Sequence, residues 1–129
     1  MISGDGVFTH VCLGADDLAK STAFYDATLG ALSINNLGPF GESAVLYGKD
    51  KPAFLLVKPA NGQPASCANG GTLGFVAPDE AAVNAFHAAG VANGGTDEGA
   101  PGPRGLPNSY AAYLRDPAGN KICAYYFSA

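Results

Sequence analysis

Two stretches of this sequence superimpose when one is shifted by 62 residues: "FTHVCLGADDLAKSTAFYDATLG" at 8–30 and "NGGTLGFVAPDEAAVNAFHAAG" at 69–90. The shift sets Asp17 on Asp79, Ala19 on Ala81, Ala23 on Ala85, Phe24 on Phe86 and Ala27 on Ala89. A repeat of this length, carrying one strand-like and one helix-like pattern per copy, is the mark of a duplicated unit. It restricts the chain to folds in which each half repeats the other's topology.

Within the first copy, residues 7–13 read as a strand with Val11 and Leu13 on one face and Phe8, His10 and Cys12 on the other. Asp16 or Asp17 can cap the following helix, which should end near Gly30, because a short carboxylate accepts hydrogen bonds from first-turn amides. Three short segments follow, roughly 31–37, 43–48 and 52–58, separated by "GPFG" and "GKDK", which read as turns. A linker, "PANGQPASCANGG", leads to the second copy: strand "TLGFVA", Asp79 as cap, helix "EAAVNAFHAAG", then turns and strands. Tyr47 and Tyr113 correspond at a shift of 66, with the extra residues placed in "GAPGPRGLP". The expected organisation is one domain of two βαβββ modules, 1–58 and 71–129, joined by a linker at 59–70.

The expected fold class is α+β, with the modules forming a curved eight-stranded mixed sheet and the helices outside. Leu73 and Phe75 would pack on a helix. Phe8, His10 and Cys12 would face Gly70, Thr72 and Gly74 across a concave surface whose small residues leave room for a ligand.

Together with "YAAYLRDPAGNKICAYY" at 110–126, the two repeats resemble the vicinal oxygen chelate superfamily. That group includes glyoxalase I, bleomycin-resistance proteins, fosfomycin-resistance enzymes and extradiol dioxygenases. The resemblance covers nearly the whole chain and implies paired βαβββ modules, a small-molecule cavity and a homodimer, to which exposed strand edges also point. It further implies a divalent metal held by His and Glu from the first and last strands. His10 falls on the first-strand ligand position of module one. Its counterpart in module two is Thr72, a poor ligand. Cys123 stands where the pattern "DP-x-GN-x-x-E" carries glutamate, and the fourth position falls at or near Phe54, with no Asp or Glu between Asp50 and Asp79. One expected ligand of four remains, so the resemblance implies a degraded metal site and no cofactor, with a weak divalent ion at His10, helped by Cys123 and Cys12, as the alternative.

The segment "GAPGPRGLPNSYAAY" holds three Gly and three Pro within 99–107, together with Arg104, Tyr110 and Tyr113. It reads as a rim loop in which Arg104 offers a fork of donors to a carboxylate or phosphonate and the tyrosines offer apolar faces with polar tips. The expected ligand-binding residues are therefore His10, Thr72, Arg104, Tyr113 and Cys123, and no catalytic residue is expected. His87 reads as a helix-surface residue. "DPAGN" at 116–120 is a hairpin turn. Nucleophilic catalysis has little support, since Cys123 would need a base and a positive surrounding to ionise.

The leading expectation is thus a small-molecule-binding protein. A glyoxalase-like lyase or isomerase with a divergent metal or acid/base site is the alternative, and a structural module with a filled cavity the third. With seven Lys and Arg and a net charge of −4, the chain has no basic cluster for nucleic acid. The first ten residues lack a secretory pattern and no apolar run matches a bilayer span. Three cysteines without a close pair favour reduced thiols, and the expected location is the cytoplasm.

Overall fold

The computed structural model describes residues 7–129, so residues 1–6 of the N-terminal reading lie outside the described residues. Five elements follow in each half. The first is β1 (Val11–Gly14), α1 (Leu18–Gly30), β2 (Asn35–Phe40), β3 (Ala44–Gly48) and β4 (Phe54–Val57); the second is β5 (Leu73–Val76), α2 (Glu80–Ala92), β6 (Thr96–Pro103), β7 (Ser109–Arg115) and β8 (Lys121–Phe127). Strand order is β1-β4-β3-β2 in one four-stranded mixed sheet and β5-β8-β7-β6 in the other. Both helices begin as expected: the Asp17 carboxylate accepts from the Lys20 amide and that of Asp79 from Ala82.

Ladder register corrects the sequence alignment. Val11 pairs with Phe54 and Phe54 with Tyr47, while Leu73 pairs with Ile122 and Ile122 with Leu114. Tyr47 therefore matches Leu114, not Tyr113. Strand side chains alternate between faces, so this one-residue slip moves a side chain from core to cavity. Tyr47 is fully buried in the core, whereas Tyr113 lies on the opposite face, half-buried.

Turn chemistry misled in two further places. "GPFG" lies largely inside β2, with a bulge between Asn36 and Gly38, and the first part of "GAPGPRGLP" lies in β6, which is bulged twice. Both are edge strands, where Pro removes no shared ladder bond and bulges end pairing. β1 starts at Val11, later than the sequence pattern suggests.

A single core joins the halves. The ring of Phe54 lies 5.5 Å from that of Phe75 and 5.0 Å from Tyr25, and Tyr25 is edge-on to Phe24 at 4.9 Å. Polar contacts tie the same seam. The Tyr25 hydroxyl donates to Asp116 Oδ2 at 2.6 Å; Asp116 also accepts from the amides of Ala118 and Asn120, and Asn120 Nδ2 donates to the carbonyl of Gly14 at 2.9 Å. Burial, reinforced by Asp116, pushes the Tyr25 phenol well above its ordinary pKa, so it remains a donor. The "DPAGN" turn is thus held from both modules, with Gly119 at φ +95°.

Candidate functional site

The face of each sheet turned away from the core carries the candidate positions. On module two, alternation along β5, β7 and β8 places Gly74, Tyr113, Cys123 and Tyr125 on that face, beside Lys121 and Phe127. The equivalent positions of module one, by register, are Cys12, Leu46, Leu55 and Val57. The fourth ligand position, expected at or near Phe54, is by register Leu55. Phe54 faces the core and is almost wholly buried.

Of the five predicted binding residues, three gather on module two. Arg104 lies over the ring of Tyr113, its guanidinium carbon 5.4 Å from the centroid, and the Lys121 ammonium is 5.2 Å from the same centroid. Tyr113 pairs with Cys123 across the β7–β8 ladder. The hydroxyls of Tyr113 and Tyr125 are hydrogen-bonded, and Tyr125 stacks on Phe127 at 5.5 Å. Lys121 and Tyr125 were not singled out from the sequence; their signal was the alternation of β8, which puts both on the face of Cys123.

His10 and Thr72 occupy equivalent places, each one residue before the first strand of its module, and both are exposed. His10 is hydrogen-bonded through Nδ1 to Thr9 Oγ1 at 3.0 Å. Thr72 lines an opening of about 180 Å³ with Val11, Leu13, Cys67 and Lys121, away from His10. His87 is not a bare surface residue: its Nε2 meets Asp97 Oδ1 at 2.8 Å, fixing α2 to edge strand β6.

The donor set was tested against a divalent ion. Burial, partly opposed by Lys121, pushes the Cys123 thiol up to about 11, so it stays protonated near neutrality. Leu55 offers no donor and Thr72 a neutral hydroxyl. Among the described residues no three His, Cys, Asp or Glu side chains converge on a point. The residues at the ligand positions do not suit a divalent cation.

Two openings lie on these faces. One, about 420 Å³, is lined by module two alone: Gly74, Val76, Leu106, Tyr125, Phe127 and neighbours. The other, about 580 Å³, is lined by Phe40, Ala44, Val57 and Lys58 of module one and the start of the linker. Phe40, Val76, Leu106 and Phe127 are more than half exposed, a large apolar surface for one small chain. Among the described residues no helix is long and apolar enough to cross a membrane.

Two βαβββ units with this topology define a class, and comparison with known proteins specifies it. The sequence profile of the glyoxalase/bleomycin resistance protein/dioxygenase superfamily matches residues 7–124, and the chain belongs to that superfamily. It is similar to the crystal structure of a glyoxalase/bleomycin resistance protein from Albidiferax ferrireducens, with 49% identity, 94% of this chain and 98% of that chain covered, and a TM-score of 0.85. A lactoylglutathione lyase from Agrobacterium tumefaciens is 26% identical, with 93% of each chain covered and a TM-score of 0.65. A glyoxalase-related enzyme from Fulvimarina pelagi shares the fold at 18% identity, with 93% and 88% covered and a TM-score of 0.73. No curated protein matches the sequence.

Proposed function

We propose that this chain binds a small organic molecule on the inner faces of its sheets, without a divalent cation, as a cytoplasmic homodimer. The observation that carries the reading is the inner face of module two, where two phenols, a protonated thiol and two cations replace a metal-binding donor set. The dimer is supported by the open apolar faces: each main opening uses one module only, and a second copy laid across Phe40, Val76 and Phe127 would cover them.

The test combines three measurements on protein purified without chelator. Light scattering should give twice the chain mass, metal analysis should find less than stoichiometric metal, and native mass spectrometry against a metabolite library should find a bound ligand. A monomer, a tightly held ion, or a library without a binder would each remove one part of the proposal.

Similarity to the Agrobacterium tumefaciens lactoylglutathione lyase favours a second reading, a glyoxalase-like lyase or isomerase with a divergent site. It requires turnover of a hemithioacetal, assayed with and without added divalent metal.

A further inference from the structure

Cations on a sheet face normally find carboxylate partners or point into water. Arg104 and Lys121 do neither. They flank one tyrosine ring, and neither has a carboxylate oxygen within 4.0 Å; among the described residues the ion pairs are His87–Asp97 and Arg115–Glu98. Arg104 Nη2 donates to the carbonyl of Ala100, but its Nε is buried without any hydrogen-bond partner. A buried donor left unsatisfied is costly and calls for an acceptor.

No acid of module two is paired with Arg104 or Lys121. Asp79 caps α2, Asp116 holds the hairpin turn, Asp97 is turned to His87 and Glu98 to Arg115, and Glu80 sits in the first turn of α2. The Tyr113 and Tyr125 hydroxyls make one bond between them. Two hydroxyls carry two protons, so the one that accepts keeps a hydrogen to donate outward. Along β8 the same face runs Lys121, Cys123, Tyr125, Phe127, from charge to phenol to bare ring, and ends in the opening lined by Val76, Leu106 and Phe127.

Resting on the small-molecule reading above, we infer that the inner face of module two binds an amphipathic organic anion. Its carboxylate or phosphonate sits between Arg104, Lys121 and the Tyr113–Tyr125 hydroxyl pair, and its apolar body lies toward Phe127. The Arg104 guanidinium supplies charge and its outward Nη donors to the anion, Lys121 a point charge, and the free phenol hydrogen a further donor. Specificity follows from the unpaired donors, since a neutral analogue leaves them without partners.

The probes are benzoate, phenylphosphonate and neutral benzyl alcohol, titrated into the intact protein by NMR while following Arg104 Nε–H and the tyrosine ring resonances. Both anions should bind at least about tenfold tighter than the alcohol and move the Arg104 Nε–H signal, and raising salt should weaken them selectively. Arg104→Gln and Lys121→Gln should each weaken the anions by about fivefold or more and narrow their advantage over benzyl alcohol, and Lys121→Arg should retain the preference. Unshifted amide resonances in module one show that the variants are folded. Equal binding of alcohol and anions, or anion binding indifferent to both variants, overturns the inference and leaves the small-molecule reading standing. If none of the three touches this face the inference falls, and the small-molecule reading is decided by the metabolite library alone.

Discussion

The two modules share a skeleton and differ on one face. Toward the core they are near twins: Val11 and Leu73, Phe54 and Ile122, Tyr47 and Leu114, Phe24 and Phe86 take equivalent places and are apolar or aromatic throughout. Toward the cavity they have parted: Cys12, Leu46, Leu55 and Val57 stand against Gly74, Tyr113, Cys123 and Tyr125. Packing constrains the first set, since cores tolerate little change in volume or polarity. The second set is free of that constraint, and polar chemistry is concentrated in one copy while the other is largely apolar.

If the cores are twins, Phe24→Ala and Phe86→Ala should be equally severe, each costing about 3–5 kcal/mol. Urea unfolding would show this, and a clear inequality would break the equivalence. The hairpins offer a sharper contrast. Gly48 and Arg115 are equivalent by register, yet a Cβ at Gly48 would fall 1.9 Å from the Lys51 carbonyl oxygen. Gly48→Ala should therefore cost on the order of 1–3 kcal/mol, whereas Arg115→Ala should cost less by the same denaturation assay.

A third pair separates the helices. Tyr25 reaches across to Asp116, while its equivalent His87 bonds Asp97 within its own module. Tyr25→Phe should cost about 1–3 kcal/mol by leaving Asp116 short of a donor; His87→Ala, at an exposed carboxylate, should stay within about 0.5 kcal/mol. Thermal melts of the two variants would rank them. The smallest effect is chemical: with its pKa near 11 and its sulfur buried, Cys123 should resist alkylation at mildly alkaline pH, while exposed Cys67 reacts promptly. Mass mapping of the labelled thiols would tell them apart, and fast labelling of Cys123 would contradict its assigned environment.

The duplication, both helix caps and the core-facing residues of β1 and β5 were legible in the sequence because they follow from period and local hydrogen bonding. Letter similarity pairs Tyr47 with Tyr113 and fixes the fourth ligand position no better than at or near Phe54, because it ignores pleat, and one residue of slip exchanges the two faces. β6 was hidden by its composition: Gly and Pro read as loop until the strand is known to lie at an edge. The grouping of Arg104 and Lys121 about Tyr113 depends on three strands meeting, which no local pattern reveals.

The Asp116 carboxylate draws one of its donors from the opposite half of the chain. A fragment beginning after the linker would carry that acid without its phenol partner. Two pieces cut at the linker should therefore hold each other less tightly once Tyr25 is replaced by Phe.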